Sequence, residues 1–354
     1  MPPVRTDNNR STGRVRFTKW LLACLVVVWP LGYFASFVVP GRSFSRAIGN
    51  DFVLLYYSYK VYLLDFLQRG SFPLWSPSEA AGFPFYSNPF SQAFYPLNAL
   101  LALSYRVLGG YSVLDHQIFT VLGVSIYGLG LFLWLSRSVP GVRAALFATL
   151  VTISSFKMGE ILRFPNAVHE AAWMPWLLYG LTLAMEEGKR FLSAVVLFVA
   201  ALMILTAGYP YYAYYCLFLI PPYTMFLLVP YTRRALLSHD EAHRLNPVTY
   251  LLTVGIPLSL AALVCTPYLL KMFRLIKATA GRPPNDYVYA TSIAFDPSDT
   301  IGSLIFPPAS QIEGWYYFGM IAVIIVIVFA AGCLVDRRSS SLRRRALVLM
   351  FAWY

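Results

Sequence analysis

The chain has 354 residues, 58% of them hydrophobic and only 12% charged, with 28 Lys and Arg against 16 Asp and Glu for a formal charge of +12. Soluble domains carry about twice that share of charge, so the composition excludes a water-soluble globular enzyme and requires an apolar solvent. The positive excess does not point to nucleic acid, because basic residues of membrane proteins collect in cytoplasmic turns and set orientation.

Residues 1–19 are polar and basic (Arg5, Arg10, Arg14, Arg16, Lys19), which predicts a cytoplasmic tail. The apolar run from Trp20 to Val39 is too long for a signal-peptide core and lacks a small-residue cleavage site, so a retained first span is predicted over 20–40. Residues 41–115 then form a long outer segment. Within it, Phe52, Leu55, Tyr59, Tyr62, Leu63 and Phe66 recur at helical spacing, interrupted by Asp51, Lys60 and Asp65. This predicts a helix on the membrane surface, aromatic on one face and charged on the other. A loop rich in Pro, Gly and aromatics follows, and Leu97–Leu108 reads as a second interfacial or re-entrant helix.

Residues 116–270 read as six spans joined by short turns. Span two ends near Leu135 and span three near Phe156, with Arg137 and Arg143 in the turn between them. Span four covers Ala171 to Met185, span five ends at Thr206, span six reaches Val229, and span seven runs from Pro247 to Leu270. A second long outer loop covers 271–315. Span eight, a basic cluster from Arg337 to Arg345 and the start of a ninth span fill 316–354, so the expectation is a piece of a longer natural protein. The turns assigned to the cytoplasm hold the larger part of the Lys and Arg residues, as this orientation requires. The predicted fold class is therefore all-α, a polytopic transmembrane helical bundle with interfacial helices in a long first outer loop.

Candidate chemistry lies on the predicted outer face. Asp51 follows the first span by about ten residues, where a carboxylate either caps the surface helix or accepts a proton from an incoming hydroxyl. Lys157, Arg163, His169 and Glu170 crowd into one short loop. They suit a phosphate, with headgroup anchoring as the plainer alternative. Arg42 and Arg46 invite the same two readings, and Lys60, Glu79 and Glu313 complete the set of outer charges that could meet a substrate. Tyr211, in a tyrosine-rich stretch around Pro210, serves either an interfacial belt or a sugar platform. No metal site is predicted: His239 and His243 lie four apart, but no Glu follows the first as a zinc-protease helix requires. The four cysteines all fall in apolar runs and define no disulfide framework.

Asp51 with Gly70-Ser71-Phe72-Pro73-Leu74-Trp75, Gly82-Phe83-Pro84 and Tyr95-Pro96 resembles the first outer loop of the bacterial YfhO family, relatives of the GT-C glycosyltransferases. The stretch from His169 to Trp176, Gly208-Tyr209-Pro210, and Pro307 through Glu313 to Gly319 extend the resemblance over most of the chain. It implies a GT-C-like fold in the bacterial inner membrane, with the N-terminus cytoplasmic. It also implies a polyprenyl-phosphate-linked sugar donor and an envelope polymer or glycolipid as acceptor. Asp51 would then be the base, and Arg163 would hold the donor phosphate. A divalent cation, Mg or Mn, is compatible with this chemistry, although no carboxylate pair demands one. Family members usually carry more spans and often a C-terminal outer domain. Two alternatives stand beside the enzyme: a non-catalytic GT-C-like subunit with a membrane protein partner, and a transporter of lipid-linked substrates.

Overall fold

Start and stop signals in the sequence account for the helices of the computed structural model, which describes residues 8–39, 48–49, 51–79, 81–139, 141–230, 232–233, 237, 246–278 and the isolated positions 302, 324, 327, 328 and 331. Among these residues the protein is almost entirely helical, and its one β feature is an isolated bridge between Ser76 and Phe83. The helices are α1 (Asn8–Tyr33), α2 (Ala35–Val38), α3 (Ser58–Gln68), α4 (Leu97–Leu108), α5 (Val113–Ser138), α6 (Val142–Ile153), α7 (Phe156–Ile161), α8 (Pro165–Ala171), α9 (Met174–Leu183), α10 (Arg190–Thr206), α11 (Tyr211–Leu228) and α12 (Pro247–Ala278).

Three segments are long and apolar enough to cross a membrane: Val113–Ser138, Glu187–Thr206 and Pro247–Ala278. Phe17–Tyr33 and Val142–Ile153 are shorter apolar helices. Side chains such as Leu217, Phe218 and Met225 on α11 and Ile256 and Leu263 on α12 stand 63–67% exposed, a surface that lipid tolerates and water does not. Membrane association follows from these helices.

The helices form two packed groups. α1, α5 and α6 share one apolar core around Val26, Val124 and Ile153, while α9, α10, α11 and α12 share another around Leu181, Leu197 and Ala261. α5 packs on both α1 and α9 and so joins the groups. Close approach of α5 to α9 uses Gly130, which lies under the Trp176 ring, and that of α9 to α10 uses Gly180 against Leu197. α5 begins at a capping box in which Ser112 and Asp115 satisfy each other's backbone N–H. At the opposite end of that helix an Arg137–Glu186 ion pair ties it to the turn before α10.

Three sequence expectations change. The predicted surface helix begins as a six-residue π-helix, Phe52–Tyr57, and continues as α3. Its Lys60 is interior, not on a solvated charged face, because the loop and α4 cover it. The predicted loop from Lys157 to Glu170 is largely helical, as α7 and α8, and span four shortens to α9, since Pro165 and Pro175 each start a helix and cannot continue one. Span seven overruns Leu270 and continues to Ala278, because 271–278 hold no Gly or Pro. Meanwhile α4 leaves Leu100, Leu103 and Val107 at 61–75% exposure along one face, a stripe fit for a membrane interface. Arg42, Arg46, Glu313, the second long loop beyond Ala278, the greater part of span eight and the start of the ninth lie outside the described residues.

The loop between α3 and α4 docks on the helix ends through Gly208, whose φ of +84° and contact with Pro89 leave no room for a side chain. A Cβ there would strike the Pro89 carbonyl oxygen, which is backbone and cannot swing away. Gly82, at φ +103°, instead meets the Trp75 ring, which is 55% exposed and free to move. Gly208→Ala is therefore expected to lower the thermal midpoint further than Gly82→Ala and to open the 72–95 loop to limited proteolysis. Equal effects of the two substitutions would contradict this docking.

Candidate functional site

A buried polar node lies beneath the loop. The Lys60 amine, 2% exposed, donates to Gln92 Oε1 at 2.5 Å and Asn98 Oδ1 at 2.6 Å and sits 5.4 Å from the centre of the Phe119 ring. Gln92 holds a left-handed backbone (φ 52°), its Nε2 donates to the Ala207 carbonyl, and its own carbonyl accepts from Asn98 Nδ2. No described carboxylate pairs with Lys60, and burial lowers its pKa from 10.5 to about 7. That shift corresponds to a cost of about 5 kcal/mol, more than one hydrogen bond returns. A neutral amine, with two N–H groups for two amide oxygens, fits this node.

Beside it runs a second chain of hydrogen bonds. Trp173 Nε1 donates to the Tyr95 hydroxyl (3.0 Å), which meets His169 Nδ1 at 3.1 Å, and His169 Nε2 lies 3.0 Å from the Phe119 carbonyl. A carbonyl only accepts, so the histidine is the Nε2–H tautomer and takes the Tyr95 proton at Nδ1. Burial, the largest cause, holds the His169 pKa down to about 3, which keeps the ring neutral. Glu170, 1% exposed, accepts from Tyr209 N (2.6 Å) and Ala213 N (2.7 Å), so its carboxylate caps the first turn of α11. Burial pushes its pKa up against the pull of those two N–H groups.

Above these interior groups lies an aromatic shelf. Asp51 is exposed at the start of the π-helix and makes no side-chain capping bond, so the capping alternative does not hold. The wide π turn carries Tyr56 inward to 4% exposure, edge-on to Phe90 and Phe164. Burial first, then the charges of Tyr209, Asp51 and Tyr211, raise the Tyr56 pKa well above its ordinary range. Phe164 stacks toward Tyr209, and Tyr209 packs on Tyr211 and Tyr212. The Arg163 guanidinium lies 4.5 Å from the Phe164 ring centre. Glu160 bonds both Arg163 (3.1 Å) and Lys157 (2.6 Å), which holds the two cations side by side at the shelf.

The predicted residues thus divide. Asp51, Lys157, Arg163 and Tyr211 border the shelf, and Tyr211 is 49% exposed there. Lys60, His169 and Glu170, read from sequence as substrate contacts, are instead interior hydrogen-bonding groups at 0–2% exposure. Glu79 accepts from the Tyr59 hydroxyl at 2.6 Å, and no described contact joins it to the shelf. Sequence reasoning missed Tyr56, Gln92, Asn98, Tyr95 and Trp173 as members of the site. Only Tyr95 and Trp173 had a signal, as parts of aromatic-proline motifs. Among the described residues no three His, Cys, Asp or Glu side chains gather into a metal-binding group.

The node predicts a pH signature. Between about 7 and 10.5 the unfolded chain holds a proton that buried Lys60 does not, so this residue makes stability rise with pH across that window. Denaturation at pH 7, 8 and 9 is expected to show that rise in the parent and a flatter profile in Lys60→Met. Glu170→Ala strands two buried N–H groups and is expected to cost about 3 kcal/mol in the same assay. No family model, curated protein or solved structure matches this chain, so the site rests on its own geometry.

Proposed function

We propose that the chain is a polytopic membrane glycosyltransferase of GT-C-like, YfhO-like build. It would transfer a sugar from a polyprenyl-phosphate-linked donor to an envelope acceptor on the outer face of the bacterial inner membrane. The observation that carries this reading is Asp51: an exposed carboxylate, free of capping duty, at the start of the π-helix whose Tyr56 packs into an aromatic shelf that also carries Arg163 and Lys157.

In the proposed reaction the donor lipid lies in the bilayer with its phosphate against Arg163 and Lys157, and the sugar rests on Tyr209, Tyr211 and Tyr212. Aromatic faces suit sugar C–H surfaces, and the phenols offer hydrogen bonds. Asp51 takes the proton of the acceptor hydroxyl as its oxygen attacks the anomeric carbon. The bond from that carbon to the phosphate oxygen breaks, and the lipid phosphate leaves with the electron pair. Cations held by Glu160 stabilise the charge that develops on it. The direction of attack, from the face opposite the phosphate, makes the transfer inverting.

A second reading, a non-catalytic membrane subunit, draws on Lys60, His169 and Glu170, which direct their hydrogen bonds to the fold. The two readings separate in membranes supplied with a labelled polyprenyl-phosphate sugar. Asp51→Asn is expected to reduce transfer about 10²–10⁴-fold, and Arg163→Gln to raise the KM for the donor. Unchanged transfer in Asp51→Asn, or no transfer by the parent together with a stoichiometric co-purifying protein, would favour the subunit.

A further inference from the structure

Two cavities adjoin each other away from the shelf, and neither is lined by Asp51, Lys157 or Arg163. One, about 430 Å³, lies between α10 and α12 and is walled by Leu202, Thr206, Val264, Cys265 and Tyr268, with Lys271 at its rim. The other, about 400 Å³, lies between α3 and α4 and carries Arg106 and Leu103. Phe94 and Pro96 line both and form the ridge between them, and the Phe94 ring packs 5.1 Å from Tyr268.

The surroundings specify the occupant. Val264 is 55% exposed on a helix of spanning length, and Leu103 belongs to the exposed apolar stripe of α4, so both cavities open where the chain faces lipid. Their walls are mainly apolar, and no Asp or Glu lines either one. Lys271 is exposed, and Arg274 and Lys277, also exposed, follow it in the last turns of α12. At about 1.5 Å per residue, α12 is some 48 Å long against a hydrocarbon core of about 30 Å, so its basic last turns extend toward the headgroups. Apolar space below, and positive charge at the rim with no ion pair to it among the described residues, suit an amphiphile with an anionic head.

We infer that these cavities hold an anionic diacyl phospholipid, one acyl chain between α10 and α12, the other across the Phe94–Pro96 ridge between α3 and α4, and its phosphate on Lys271. Two adjoining hollows suit two chains, whereas a single polyprenyl chain would leave one of them unfilled. The lipid would brace the docked loop against α12 from outside, in a position separate from the sugar shelf.

The test uses the full chain in mild detergent, with phosphatidylglycerol as the probe and phosphatidylcholine and undecaprenyl phosphate as comparators. Phosphatidylglycerol is expected to raise the thermal midpoint and to stay bound in native mass spectrometry at one per chain, with phosphatidylcholine weaker. Lys271→Gln is expected to weaken phosphatidylglycerol binding about fivefold, the share of one basic residue near an anionic lipid. Val264→Trp, which fills the cavity from an exposed position, is expected to abolish retention while leaving the lipid-free midpoint unchanged. Equal binding of the two phospholipids, tighter binding of undecaprenyl phosphate, indifference to both substitutions, or a dimer that excludes lipid from this face would each overturn the inference.

Discussion

The structure depends on a lysine amine held by two amides. Lys60 reaches Gln92 and Asn98, Gln92 reaches the Ala207 carbonyl at the end of α10, and through these links the loop is bound to the helices beneath it. A buried amine without a carboxylate is a costly choice, but its donors leave neither amide oxygen unsatisfied. The loop's remaining anchors converge on the same place. Asn166 Nδ2 donates to the Phe90 carbonyl, Tyr95 joins Trp173 to His169, and Gly208 admits Pro89 at backbone distance. Removing the amine would leave two oxygens buried together, so the node acts as a unit and not as three separable bonds.

What this clamp achieves is placement. With the loop fixed, the π turn after Asp51 must lie against Phe164, and α8 must present Glu170 to the start of α11. Tyr209, Tyr211 and Tyr212 then extend the surface that Tyr56 and Phe164 begin. The ionisable groups thus occupy two layers. An interior layer of Lys60, His169 and Glu170 holds the geometry, and an outer layer of Asp51, Lys157, Glu160 and Arg163 remains where a ligand could reach it.

Much of the helix plan was legible in the sequence, because apolar runs and capping residues act locally. Ser112 with Asp115 marks the start of α5, and the run from Pro247 marks α12. The helix starts at Pro165 and Pro175 were written there too, but the charges between Lys157 and Glu170 made the first of them look like a loop. The site was half legible. A charged residue near a membrane looks functional from sequence, yet whether it faces a ligand or a backbone N–H is decided by residues far along the chain. Glu170 meets Ala213, 43 residues on, and Gln92 meets Ala207, 115 residues on. Gln92 gives no sign of its left-handed backbone, since nothing local requires it. Asp51 alone was singled out for its position, and its side chain does none of the capping that would have explained it away.

The central claim is that the shelf between Asp51 and Arg163 receives a lipid-linked sugar. A density map of the full chain with a polyprenyl-phosphate sugar bound tests it most directly. The account predicts the phosphate beside Arg163 and Lys157, the sugar on the Tyr209–Tyr212 rings and its anomeric carbon facing Asp51. A shelf filled by its own aromatic side chains, with the lipid phosphate bound elsewhere, would contradict it.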